Sequence, residues 1–257
     1  MKVSLTFDVE KDLHSSTYNG LEFGIPALLQ ILNKHKIKAT FFVPAQLLKK
    51  FPDYLLFLKN QGHEIALHGF AHERFDILSA WEKQIRIVKS VEIYKKIFNQ
   101  YPKGFRAPQH SIDAETLDLL KDMGFLYDAS YTPFNLLQLL FFPKRFQLWL
   151  KGFFKKREIN KIGDNFYEIP TSSFILPFVS LPLRIFPWPI LKVYLWVLKR
   201  TSSNLVFYAH SWDFIELPKS KTDKYFSYRR LISNLDKMIK YLSEKGDKFS
   251  TMHDLIG

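Results

Sequence analysis

Four short stretches of the chain hold side chains whose type and spacing could do chemistry. The first is Thr6-Phe7-Asp8-Val9-Glu10. In an extended strand side chains alternate faces, so Asp8 and Glu10 point one way and Val9 the other. Two carboxylates on one side of a strand end suit acid–base work or metal ligation, and equally suit a solvated end. The second stretch runs from Glu64 to His72, where an apolar strand delivers His68 and His72 follows four residues later. On one turn of helix two imidazoles at that spacing share a face and can bind one metal ion. Gly69 lets the backbone turn sharply after the strand. Chance pairs are common among 8 histidines, so the position directly after a strand is what singles this pair out.

The third stretch is Gly104-Phe105-Arg106-Ala107-Pro108-Gln109-His110. An Arg at a strand end, followed by a Pro-stiffened turn, presents a fixed planar cation able to hold a carboxylate bidentately. The plainer reading is a structural ion pair. The fourth is Leu205 to Asp213, another strand that ends in a histidine, His210, with Trp212 and Asp213 just after it. A histidine so placed can be a general acid near neutral pH; the plainer reading is a capped strand end with an aromatic lid.

The elements that must position these residues alternate. Short strands are expected over residues 3–7, 39–43, 64–67, 104–106, 204–208 and 249–251. Helices are expected over 24–34, 51–60, 79–99, 113–123 and 228–244, with Gly124 as a C-cap. Strand–helix–strand repetition implies a parallel sheet with outer helices, closed or nearly closed.

The whole chain of 257 residues is 47% apolar and 24% charged, ordinary globular composition with enough apolar material for a large core. The absence of cysteine excludes disulfides, thiolate metal sites and a cysteine nucleophile. A net charge of +12 and an aromatic content of 16% suggest an anionic partner. Much of this character sits in Phe134 to Lys161, which interleaves Leu, Phe and Trp with Lys and Arg around a single acid, Glu158. That is the composition of a segment lying in a membrane interface, and also of an insertion packed over or beside a barrel mouth with its cations solvated. No nucleic-acid motif accompanies the basic residues, so no nucleic-acid partner is expected. The apolar stretch from Phe174 to Leu198 reaches the ~20 residues a spanning helix needs. Four prolines and Arg184 inside it argue against a regular spanning helix. Without an apolar h-region at the N-terminus, no secretory signal is encoded, and a cytoplasmic location is expected, with peripheral contact on the inner face of the membrane.

Taken in order, the four stretches and Tyr127-Asp128-Ala129-Ser130 make the sequence resemble the polysaccharide deacetylase family, the NodB homology domain, in its D-V-E branch. The matching segments are Thr6-Phe7-Asp8, His68-Gly69-Phe70-Ala71-His72, Arg106-Ala107-Pro108, Tyr127 to Ser130 and Phe207 to His210. The resemblance covers nearly the whole chain apart from residues 134–161. It implies one domain over residues 1–257, an α/β fold built as an irregular (β/α) barrel of about seven strands. It implies a hydrolase of non-peptide carbon–nitrogen bonds, removing the N-acyl (N-acetyl) group from an amino sugar of a glycan or lipid-linked saccharide with a divalent metal. In that scheme Asp8 is the general base, Arg106 orients and polarises it, and His210 protonates the leaving amine. His68 and His72 supply two metal ligands.

Two positions depart from the family pattern. Val9 stands where the family carries a second, metal-binding Asp, and cannot coordinate. Glu10 shares a face with Asp8 and is expected to be the third ligand, with Asp12 in reserve. Gly69 replaces a Ser or Thr. His14, Pro108, Tyr131 and Trp212 are expected to contact substrate. One oxygen and two imidazoles suit Zn²⁺, and Co²⁺, Ni²⁺ or Fe²⁺ would also fit. Loss of the second Asp keeps alive a metal-free hydrolase of a small cyclic amide or imide on the same fold. A glycan-binding module without turnover is a third reading, opposed by the retention of Asp8, Arg106 and His210 together.

Overall fold

Nine strands, all in one sheet, occur among the described residues: β1 (Lys2–Asp8), β2 (Thr40–Val43), β3 (Glu64–Leu67), β4 (Gly104–Phe105), β5 (Tyr127–Asp128), β6 (Asn160–Gly163), β7 (Phe166–Glu168), β8 (Asn204–His210) and β9 (Lys248–Phe249). The structure is a computed structural model, and the described residues are 1–13, 15–133, 158–174, 176–217 and 226–257. Eight strands lie side by side in the order β6-β7-β5-β4-β3-β2-β1-β8, while β9 adds to β1. Every pairing is parallel except β6 with β7. The chain after β7 then runs beside β8. Ser172 N–H donates to the Val206 carbonyl at 3.0 Å, and Tyr208 N–H to that of Phe178 at 3.0 Å. These bonds curl the sheet round towards closure, giving the irregular (β/α) barrel expected. The strand number exceeds seven because β5 and the β6–β7 hairpin add to the six strands expected along the chain.

Eight α-helices accompany the strands among the described residues: α1 (Ile25–Lys34), α2 (Ala45–Lys50), α3 (Pro52–Asn60), α4 (Ala80–Phe98), α5 (Ala114–Asp122), α6 (Ser180–Ile185), α7 (Trp188–Thr201) and α8 (Tyr228–Glu244). The helix expected over 51–60 is α3 alone. It is preceded by α2, and Phe51 leaves helical geometry between them because Pro52 disfavours the α region in the residue before it. The 174–198 stretch becomes α6 and α7, broken at Pro187. No helix among the described residues is long and apolar enough to cross a membrane. The aromatic, basic segment lies outside the described residues over 134–157.

β1 shows how the sheet divides its two faces. Val3, Leu5, Phe7 and Val9 pack under the outer helices, with Ile25, Leu28 and Leu32 of α1 and Leu231, Leu235 and Ile239 of α8 in the same core. Ser4, Thr6 and Asp8 alternate with them and are buried too. A second, smaller cluster joins Phe42, Ala66, Tyr127, Ala129, Val206 and Met252. Beneath it, Glu64 accepts hydrogen bonds from Tyr127 Oη at 2.8 Å and Thr40 Oγ1 at 2.8 Å. Strands meet closely here: a Cβ on Gly104 would lie 1.9 Å from Tyr127 Cζ.

Candidate active site

The period of two that buries Phe7 under the helices turns Thr6 and Asp8 the other way. Parallel register sets Asp8 opposite Phe42 of β2 and His210 of β8. Arg106, immediately after β4, is fully buried. Its Nη1 donates to Asp8 Oδ1 at 2.8 Å, Nη2 to Thr6 Oγ1 at 3.0 Å and Nε to the Ala129 carbonyl at 3.0 Å. The Phe42 ring lies 4.0 Å from the guanidinium carbon and the Tyr208 ring 5.0 Å. Burial opposes ionisation of Asp8, but the charges of His68, Arg106 and His210 outweigh it and bring its pKa down to about 2. Asp8 is therefore a carboxylate across the working pH range.

His68 and His72 do meet, but not by a shared helix face. His68 closes β3, Gly69 turns with φ +72°, and His72 itself sits in the left-handed region at φ 67°. The turn reverses the chain, and the two rings come to 5.3 Å between centroids. Gly69 is required for shape, since Pro108 and Phe75 already crowd the place of a Cβ at 3.2 and 3.1 Å. His68 Nδ1 lies 2.8 Å from the Arg106 carbonyl, which can only accept, so Nδ1 carries the hydrogen and the Nε2 lone pair is free. That lone pair lies 3.4 Å from Asp8 Oδ2 and 3.9 Å from Glu10 Oε2. Burial lowers the His68 pKa against the pull of Asp8 and Glu10.

Glu10 completes the group. One donor atom each from Glu10, His68 and His72 lies within 4.8 Å of the others. Glu10 Oε2 is paired with His72 Nε2; burial opposes protonation of His72, but Glu10 outweighs it and raises the pKa. One carboxylate oxygen facing two imidazole nitrogens is a donor set whose chemistry suits a divalent ion. Asp12 does not share in this. It accepts from Thr17 Oγ1, Asn19 N–H and Gly20 N–H at 2.7, 2.7 and 2.8 Å, which uses its carboxylate to fix the start of the helical turn before α1. The reserve ligand is thereby excluded on geometry.

His210 ends β8 with Nε2 2.6 Å from Tyr208 Oη and 3.6 Å from Glu10 Oε1, and Nδ1 3.5 Å from Asp213 Oδ2. Burial works against its protonation, but Asp213 and Glu10 outweigh that and raise the pKa. Asp213 is braced by Arg184, whose Nη2 donates to its carbonyl at 2.5 Å and lies 3.4 Å from Oδ1. The Trp212 ring stacks on His210 at 4.1 Å and 16°. Of the other expected contact residues, Pro108 is buried against Gly69, and the half-buried Tyr131 donates its N–H to Glu168 Oε1 at 3.2 Å. His14 lies outside the described residues.

Sequence reasoning missed several members. Thr6 and Tyr208 were legible as the i−2 positions of Asp8 and His210 on alternating strands. Gln109 and His110 were not: both are left-handed at φ 54° and 55°, and His110 Nδ1 donates to the Ser130 carbonyl at 2.7 Å. The motif serine thus has two functions, its Oγ also accepting from Ala107 N–H at 2.7 Å.

A carboxylate, a cluster of cation donors and a protonatable histidine held against one another can hydrolyse an amide. The family model described as "Polysaccharide deacetylase" matches residues 1–127. A peptidoglycan deacetylase of Helicobacter pylori is 32% identical over 132 residues, 49% of this chain and 45% of that protein. A peptidoglycan-N-acetylglucosamine deacetylase of Bacillus cereus is 30% identical over 125 residues, 49% of this chain and 42% of that protein. The chain thus spans less than half the length of these curated relatives. Among solved structures, a Mycobacterium smegmatis protein assigned as a polysaccharide deacetylase matches with a TM-score of 0.73 at 19% identity, over 99% of this chain and 88% of that one. The first three motif segments fall inside the matched stretch and the fold is shared along the rest: residues 1–127 belong to the polysaccharide deacetylase family.

Proposed function

We propose that the protein is a hydrolase that removes the N-acetyl group from an amino sugar of a glycan. The observation that carries this is the convergence of Asp8, the Glu10–His68–His72 group and His210 from three strand ends on one another. The relatives named for peptidoglycan deacetylation support the substrate class.

Glu10, His68 and His72 would hold a divalent ion, Zn²⁺ by donor type with Co²⁺, Ni²⁺ and Fe²⁺ also suited, which would polarise the amide carbonyl and acidify water. Asp8, ionised and fixed by Arg106, takes the proton of the attacking water. Arg106 donates two further hydrogen bonds, so the carboxylate cannot rotate away. His210, with its pKa raised by Asp213 and Glu10, gives a proton to the leaving nitrogen. The carbon–nitrogen bond breaks, and acetate and a free amine result. The metal-free alternative is disfavoured by the Glu10–His68–His72 donor group, which has no task in it.

The basic, aromatic sequence of residues 134–161 supports a site brought to the inner membrane face, where a lipid-linked amino sugar would be the substrate. Binding to anionic vesicles that is lost on deleting the segment is expected; no binding would remove the membrane part. For the reaction, acetate release from N-acetylhexosamine oligomers and lipids is measured with and without added Zn²⁺. Turnover that survives full chelation would overturn the metal-dependent reading.

A further inference from the structure

The two oxygens of Glu10 have different surroundings. Oε2 faces the imidazoles of His68 and His72, paired with His72 Nε2. Oε1 accepts from the indole Nε1–H of Trp212 at 3.1 Å. The next nitrogen within reach of Oε1 is His210 Nε2, at 3.6 Å.

Trp212 is itself fixed from the other side. A Cβ on Gly20 would lie 2.6 Å from the Trp212 backbone nitrogen, so the turn before α1 sits directly on this residue. The same Gly20 donates its N–H to Asp12, two residues beyond Glu10. The loop carrying Glu10, the turn at Gly20 and the turn carrying Trp212 therefore close into one ring of contacts. The indole plane is held against His210 at 4.1 Å. A donor so restrained has little freedom left to lose when it bonds the carboxylate.

We propose that Trp212 is a positioning residue for cation binding: its indole N–H holds Glu10 Oε1, so that Oε2 alone is presented to the ion between His68 and His72. The proposal rests on the metal-site reading above. Freed from the indole, the carboxylate turns to His210 as its next partner and withdraws Oε2 from the imidazoles. A one-oxygen Glu10 also leaves room on the ion for water and substrate, which the chemistry of a catalytic site needs. Trp212 thus serves Glu10 through one edge and His210 through its face.

Two variants separate the edge from the face. Trp212→Phe keeps a ring over His210 and removes the donor. Trp212→Gln removes the ring and places an amide nitrogen as many bonds from Cβ as the indole nitrogen. Zn²⁺ affinity of the full chain is measured by chelator competition, with circular dichroism as the check on folding. Trp212→Phe is expected to weaken binding about 10-fold or more, the usual loss for an outer partner of a metal ligand, and Trp212→Gln to recover most of it. In a Glu10→Ala background Trp212→Phe is expected to add no further loss, since the two residues act through one bond. Wild-type affinity in Trp212→Phe, or losses that add in the double variant, would overturn the proposal while leaving the metal site standing. A wild-type protein that binds no Zn²⁺, or binds it equally after His68→Ala/His72→Ala, would instead remove the metal site and this proposal together.

Discussion

Arg106 reaches across 98 residues of chain to donate to Asp8 Oδ1 at 2.8 Å, and neither side chain is open to solvent. The pair has no water to fall back on, so each partner depends on the other and on the groups that share the load, Thr6 and the Ala129 carbonyl. Removing Arg106 strands a buried carboxylate. Arg106→Met is expected to destabilise the fold by about 3–5 kcal/mol in urea titration, the cost typical of a buried pair broken from one side. Asp8→Asn keeps the shape and an acceptor oxygen for Nη1, and is expected to fold while lowering kcat by roughly 10²–10⁴. Equal activity in Asp8→Asn and wild type would deny Asp8 the role of base.

The cation donors lead to a calorimetric prediction independent of turnover. A ligand that binds the folded state alone stabilises it by about 4 kcal/mol at a thousand times its Kd. Raising Zn²⁺ should therefore raise Tm by several degrees, and chelation should reverse it. His68→Ala/His72→Ala should show no such rise. A rise of the same size in the double variant would place the ion elsewhere.

His63 links stability to pH away from the active site. Its Nδ1 accepts from Ala39 N–H at 3.2 Å, its Nε2 is buried without a partner, and it lies edge-on to Phe41. Burial first, and Lys38 second, bring its pKa from 6.5 down to about 4. The unfolded chain then binds a proton that the folded chain refuses, so stability is complete above about pH 6.5 and is lost as pH falls towards 4. The loss expected from this one proton is of order 1–3 kcal/mol. His63→Gln should flatten the stability profile in that window. An unchanged slope from pH 6.5 to 4 would assign the acid lability to other groups.

Gly104 tests how tightly the strands are seated. A methyl group there would collide with the Tyr127 ring, which is tied through its hydroxyl to Glu64. Gly104→Ala is expected to cost about 1–3 kcal/mol or more by overpacking. Tyr127→Phe alone, leaving the ring in place, should cost only about 1 kcal/mol for the lost hydrogen bond.

Strand β1 was legible because Val3, Leu5 and Phe7 alternate with Ser4, Thr6 and Asp8, and that period of two fixes which way Asp8 and Glu10 face. Glu10 was favoured over Asp12 as the companion of His68 and His72 because it shares a face with Asp8, but spacing alone left Asp12 in reserve. What decides it is a set of backbone N–H donors at Asn19 and Gly20 that claim Asp12. The His68–His72 spacing suggested a helix, whereas Gly69 and a left-handed His72 make a tight reversal with the same outcome. The Asp213–Arg184 brace joins segments 29 residues apart, and no local pattern announces it. The β6–β7 hairpin was lost for another reason: its residues are half exposed, so no apolar alternation marks it.

Of the five non-glycine residues with positive φ among the described residues, His72, Gln109 and His110 all belong to the motif segments of this site. Each holds a backbone shape that costs of order 1 kcal/mol or more and that only its surroundings maintain. Engineering for heat tolerance will meet its resistance here. Gln109→Gly would ease the torsion and raise the melting point, yet it would loosen the turn that seats His110 on the Ser130 carbonyl, so gains in durability and gains in rate pull in opposite directions at this one corner.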